Sequence, residues 1–213
     1  MESKLSFSRK YAYCRNVTSN ITKTQQMQIL TKEIKKLTNC ETYQIEDIFN
    51  NLNMEELNKG EFLLKADQIC DKYFFIEKGA VRLYYLKGQK DYTVWIGAPG
   101  QIFTDLESYL SQSKSRIFIE AIETTTAYTI NKKQSDNLAL QSNVYNTLLR
   151  RTVEIAFANM SKNIISFQSD EASERYERIE KEKNWLAQYP LRYISSFIGI
   201  TQSSLSRLRA KKN

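Results

Sequence analysis

The chain has 213 residues, enough for one large or two small domains with real cores, and 41% of them are hydrophobic, the share of a globular protein. Histidine is absent, which excludes His-based acid–base catalysis, catalytic triads and His-ligated zinc or haem, and the three scattered cysteines (Cys14, Cys40, Cys70) are too few for an ordinary iron–sulfur cluster and read as reduced thiols. The net charge of +7 is uneven: residues 1–40 hold eight basic and two acidic groups, residues 189–213 hold five basic and none acidic, and the middle is mildly acidic.

No apolar run reaches the ~20 residues that would cross a bilayer, and Met1-Glu2-Ser3-Lys4-Leu5-Ser6 lacks the apolar core of a signal peptide. The chain is therefore expected in the cytoplasm, with no membrane partner. Residues 1–25 are polar and basic and read as a loose arm. Residues 26–58 carry two apolar patterns at helical spacing, Met27/Ile29/Leu30/Ile34/Leu37 and Ile45/Ile48/Phe49/Leu52/Leu57, broken by Thr38-Asn39-Cys40, and are expected to be helical on either side of that break.

The period changes at Gly60. Short runs rich in aromatic and β-branched residues follow: 61–64, 73–77, 80–86, 91–96, 116–120 and 124–130. Gly79, Gly88, Gly97 and Gly100 punctuate them, the signal of hairpins and turns. Many short strands at this spacing predict an antiparallel sandwich, barrel or jelly roll, filling residues 26–142 together with the N-terminal helices. No glycine run is followed by a lysine in the manner of a phosphate loop.

Helical spacing returns at 143–168. Leu149, Val153, Ala156, Met160, Ile164 and Phe167 step by fours and threes, the seam of a coiled coil. Val144, Leu148 and Ile155 form a second apolar face. One face is expected to cover the β domain and the other to meet a twin chain. Residues 168–188 alternate opposite charges three and four apart around a thin stripe of Ala172, Tyr176, Ile179 and Leu186, and read as a solvated helix leading into the C-terminal unit.

Within the terminal unit, 169–213, Pro190 suits a helix start and Leu191, Ile194, Phe197 and Ile198 share one face. Gly199 can take the left-handed conformation that ends a helix, and Thr201 is a good N-cap for the next. Leu205 and Leu208 give the second helix a narrow apolar stripe, opposite Gln202, Ser203, Ser206, Arg207 and Arg209. That is the layout of a helix-turn-helix whose second helix enters the DNA major groove, with Thr201, Gln202, Ser203, Ser204, Arg207 and Arg209 as the candidate DNA contacts.

A β-roll, one long helix and a terminal helix-turn-helix in this order resemble the Crp/Fnr family of transcription regulators, in the branch common in Bacteroidetes. The likeness spans about residues 40–213. It rests on Lys59-Gly60-Glu61-Phe62-Leu63-Leu64, on the run from Phe74 through Glu77-Lys78-Gly79-Ala80 to Tyr85, on Phe103-Thr104-Asp105-Leu106-Glu107-Ser108, on Ala172-Ser173-Glu174-Arg175-Tyr176 and on Tyr193 to Arg207. The resemblance implies an α+β fold, made of a cyclic nucleotide-binding-like antiparallel β-roll, a dimerisation helix and the DNA-binding domain. It also implies a homodimer on palindromic double-stranded DNA, with RNA polymerase as a further partner and no enzymatic activity, catalytic residue or metal.

The effector site carries over only in part. Cyclic-AMP-binding members have a Gly-Glu-Leu run and, about ten residues on, an arginine for the cyclic phosphate. Here Thr104-Asp105-Leu106 stand at the run, an ungapped match puts Ser115 at the arginine, and Arg116 follows one residue later. In a strand, one step turns a side chain to the opposite face, so Arg116 is expected to point out of the pocket. Without its guanidinium the cyclic phosphate loses a bidentate, charge-assisted contact. Cyclic AMP is therefore expected not to be the ligand, and no other cofactor is implied. In the second helix, Thr201 and Arg207 fall at family DNA-contact positions, whereas Ser203 replaces a glutamate that reads bases in many relatives. The alternative is a cyclic-nucleotide or other small-ligand sensor with weak or lost DNA binding.

Overall fold

The computed structural model describes residues 26–182 and 185–210. The expected arm at 1–25, and Lys211 and Lys212, lie outside the described residues.

Helix α1 (Gln28–Thr38) buries Leu30 and Ile34, ends on Asn39 in the left-handed conformation, and leads through a single 3-10 turn (Thr42–Ile45) into α2 (Glu46–Asn50). The expected helix does not run on to residue 58. Asn53–Leu57 is a strand, β1, and pairs antiparallel with β8 (Thr125–Asn131) from Asn53↔Thr129 to Leu57↔Thr125. Leu57 alone turns inward from β1, so its sequence showed no alternation to mark it as a strand.

Two four-stranded antiparallel sheets build the roll. One has the order β1-β8-β3-β6, with β3 at Lys72–Lys78 and the two-residue β6 at Ile102–Phe103. The other has the order β2-β7-β4-β5, with β2 at Phe62–Leu64, β7 at Phe118–Ala121, β4 at Val81–Lys87 and β5 at Lys90–Gly97. Leu64, Phe74, Ile76, Val81, Leu83, Ile119 and Ala127 fill the space between them. The turn from β3 to β4 needs Gly79: its φ is +81°, and a Cβ there would stand 2.3 Å from the Thr124 carbonyl oxygen.

Between β6 and β7 lies a short helix, α3 (Leu106–Ser111), and after β8 come α4 (Lys132–Gln141) and the 27-residue α5 (Asn143–Ser169). Tyr145 and Leu148 of α5 are fully buried against α1, α4 and the outer face of the first sheet. The chain then turns through Asp170–Glu171 into α6 (Ala172–Glu182), α7 (Trp185–Gln188), α8 (Leu191–Ile198) and α9 (Gln202–Ala210).

A buried carboxylate ties the N-terminal helices to the roll. Glu77, 8% exposed at the end of β3, accepts the Ile29 and Leu30 N–H groups at 2.8 and 2.9 Å, two of the first donors of α1 that no turn can satisfy. Glu77→Ala is expected to orphan both donors and lower the free energy of unfolding by about 2–4 kcal/mol, read as a lower urea midpoint. An unchanged midpoint would show that water replaces the carboxylate at no cost.

Candidate nucleic-acid interface and effector site

The α8–α9 corner is built by local rules. Pro190 sits at the N-cap of α8, Gly199 ends it at φ +84°, and Gly199 N–H returns to the Ser195 and Ser196 carbonyls. The Thr201 hydroxyl accepts the Ser204 N–H at 3.1 Å, capping α9. Leu205 is fully buried against α8, while Gln202, Ser203, Ser206, Arg207 and Arg209 are exposed, and Ser204 is half-buried. Arg175 of α6 braces the corner from behind, donating to the Ile198 carbonyl at 3.0 Å and to the Asp170 carbonyl at the turn after α5.

The C-terminal helices share their core with the roll. Tyr176, Ile179, Trp185, Tyr193, Ile194, Phe197 and Leu205 pack with Ala80, Ile96 and Ile122 from the end of the second sheet. Trp95 of β5 meets Trp185 edge-on at 5.6 Å and Phe197 at 6.0 Å. The Ser196 hydroxyl accepts the Thr93 N–H at 2.9 Å and donates to the Asp91 carbonyl at 3.2 Å. Arg82, 3% exposed, lies between the rings of Tyr84 and Tyr193, 4.4 Å from each centroid. Its Nε donates to Thr93 Oγ1 at 2.8 Å and its fork grips the Asp91 carboxylate at 2.7 and 3.1 Å. The hydrogen bond from that guanidinium holds the Asp91 carboxyl below its usual range, while burial and then the neighbouring Glu120 push the Tyr84 hydroxyl up to about 12.

Along α5, Leu149 is half-buried against the N-terminal cluster, and the remaining seam positions are open: Val153, Ala156, Met160 at 57% and Ile164 at 51%. Phe157 and Phe167 extend the same exposed band. Of the second expected face, Leu148 is buried and Val144 packs beside it, but Ile155 is exposed; Tyr145 and Thr152 take the inward positions instead.

At the expected effector site the side chains satisfy one another. Asp105 sits at the N-cap of α3, yet its carboxylate caps nothing and instead accepts the buried Ser115 hydroxyl at 2.6 Å. Thr104 donates to the Lys72 carbonyl at 2.7 Å and lies 3.3 Å from Cys70 Sγ. Leu106 is exposed. Arg116 does not join this group: its side chain is 81% exposed and pairs with Glu107 at 2.9 Å. The outward direction agrees with the expectation, but the strand does not. β7 begins at Phe118, because Ser115 bonds to the turn at Asp67 and Gln68 rather than to a neighbouring strand. Two surface concavities lie elsewhere, one of about 600 Å³ beside Glu55, Gly60 and Lys65 and one of about 510 Å³ beside Asp71, Lys132 and Asp136. Among the described residues no group of three or more Cys, Asp and Glu side chains could hold a metal ion, and no helix is long and apolar enough to cross a membrane.

Residues 54–142 match the cyclic nucleotide-binding domain family, so the roll is a domain of that class. The chain shares its fold with a CooA variant from Carboxydothermus hydrogenoformans (17% identity, TM-score 0.65, covering 83% of this chain and 82% of that one). It shares it too with FixK2 from Bradyrhizobium japonicum (18%, 0.65, 75% and 83%) and with a protein from Eubacterium rectale assigned to the Crp/Fnr family (15%, 0.59, 80% and 82%). No curated protein matches the chain. The fold is the one these structures share: a β-roll matching the cyclic nucleotide-binding domain family, a long helix and a helical C-terminal unit.

Sequence reasoning did not single out Arg82, Trp95 or Ser196. Arg82 carried a faint signal, since strand alternation set it on the face opposite Val81 and Leu83, where a lone arginine needs a partner. Ser196 carried none that sequence spacing reveals, because its partners lie more than a hundred positions away.

Proposed function

We propose that the protein is a dimeric, DNA-binding transcription regulator of the Crp/Fnr type. One observation carries this reading: α9 is anchored through a buried Leu205 while it presents Gln202, Ser203, Ser206, Arg207 and Arg209 on a capped, unobstructed and basic face. In the helix-turn-helix arrangement such a face enters the major groove, where arginine and glutamine read base edges and hydroxyls meet phosphates. Two copies would meet through Val153, Ala156, Met160 and Ile164, and each would offer α9 to one half-site. RNA polymerase is the further partner of such a regulator, and its place of action is the cytoplasm.

The effector site is degenerate for cyclic AMP. Ser115 is spent on Asp105, and Arg116 points to solvent beside Glu107, so a cyclic phosphate would meet a carboxylate and no guanidinium. The match of 54–142 to the cyclic nucleotide-binding domain family favours a second reading, a sensor of another small ligand with weak DNA binding.

Selection of bound duplexes from a random DNA pool separates the two. The wild type is expected to enrich one two-fold symmetric motif, equally with and without cyclic AMP. Arg207→Ala is expected to lose that motif, with affinity for it falling about 10- to 100-fold from the missing base or phosphate contact. Unselective, salt-sensitive binding by both proteins would reduce the basic end to a phosphate patch and leave the sensor reading. A motif that appears only with cyclic AMP would overturn the degenerate site.

A further inference from the structure

We propose that the edge of β5 is a docking rail for the C-terminal unit, and that Arg82, Asp91 and Ser196 form a clasp that holds the unit there in its DNA-competent orientation. The geometry stands by itself; its consequence for DNA rests on the function proposed above.

Strand β5 ends the second sheet, so one of its sides lacks a strand partner. Backbone groups on such an edge must find other partners or be exposed. Here a side chain of α8 supplies them: the Ser196 hydroxyl accepts from Thr93 and donates to the Asp91 carbonyl, as a neighbouring strand would. The irregularity between β4 and β5 falls at this point, where Leu83 pairs with Trp95 and Tyr84 with Thr93, leaving Val94 unmatched. Arg82 closes the clasp from the sheet face. It binds Asp91 and Thr93 on the rail and stacks on Tyr193 of α8, so one buried guanidinium joins β4, β5 and α8.

The docked position leaves the reading face free, since Gln202, Ser203, Ser206, Arg207 and Arg209 are all exposed in it. A unit hinged only at Asp170–Glu171 would have to surrender its orientational freedom on binding DNA; a clasped unit has already done so. The clasp also gives the roll a short route to the DNA helices. Leu83 faces the roll interior and Arg82, one residue earlier on β4, faces α8, so a shift of β4 by an occupant moves the clasp directly.

The chain carries its own reporter. Its two tryptophans are Trp95 on the rail and Trp185 in the docked unit, in contact across the junction, and such a pair gives an exciton couplet in circular dichroism. The test uses the full chain with Arg82→Met and Ser196→Ala combined, Ser196→Thr to restore a hydroxyl, and Arg207→Ala as control. The clasp predicts that the double variant loses the couplet well below its melting temperature, keeps the wild-type oligomeric mass and binds the selected duplex about tenfold more weakly. Ser196→Thr is expected to retain the couplet, and Arg207→Ala to lose DNA without losing it. A couplet that survives in the double variant, or disappears only as the whole chain melts, overturns the clasp. A lost couplet with duplex affinity unchanged overturns the claim of competence. If the wild type selects no duplex at all, the DNA reading fails, while the couplet still decides the clasp.

Discussion

Replacing Met160 by glutamate is expected to turn the protein into a monomer by light scattering and to abolish measurable binding to its selected duplex. In the single chain Met160 is 57% exposed, so the change costs little for folding, as exposed substitutions generally do. In a dimer joined through the seam the same position would be buried, and the two new carboxylates would face each other. An unpaired buried charge costs about 3–5 kcal/mol, which weakens self-association by more than about a hundredfold. Binding of a two-fold symmetric site falls with it, because each half-site must then be held by one α9 alone. An unchanged mass would move the interface off α5.

Phe197→Ala is the second large effect. Phe197 is 5% exposed and lies 5.1 Å from Trp185 and 6.0 Å from Trp95, in the centre of the cluster that the roll and the C-terminal helices share. Truncating a buried phenylalanine costs about 3–5 kcal/mol, through lost transfer energy and the cavity left behind. Both tryptophans border that cavity. Their emission is expected to shift to longer wavelength at a lower urea concentration than in the wild type. Coincident far-UV and fluorescence transitions would show that roll and helices unfold together, as their common core requires; separated transitions would show that the junction opens first.

The parts of the fold written in local chemistry were legible in the sequence. Pro190, Gly199 and Thr201 start, stop and restart the chain by rules that act over a turn or two, and the structure has α8 and α9 where they point. The stepping of Leu149 to Ile164 announced a long helix with an open seam, found as Asn143–Ser169. Strand β1 was not legible, because its inward face consists of Leu57 and the helical period of Ile45 to Phe49 runs up to it. Nor was α3, whose six residues show less than two turns of pattern. The outward direction of Arg116 was expected from strand alternation, but residues 115–116 lie ahead of β7, outside any strand, and the hydrogen bond of Ser115 to Asp105 needs α3 to bring the carboxylate there. The junction between β5 and α8 was illegible for a stricter reason: its contacts span about a hundred residues and obey no period.

The pairing of β1 with β8 has a consequence for synthesis on the ribosome. Asn53 to Leu57 find their partners only at Thr125 to Thr129, after nearly the whole roll has been translated. At roughly 5–20 residues per second the nascent β1 waits several seconds with an open edge. Its charges, Glu55 and Glu56, stand in the strand through that interval and discourage pairing with other nascent chains. The roll closes just as α5 begins to emerge, so a helix with an exposed apolar seam leaves the ribosome only once its own domain can fold.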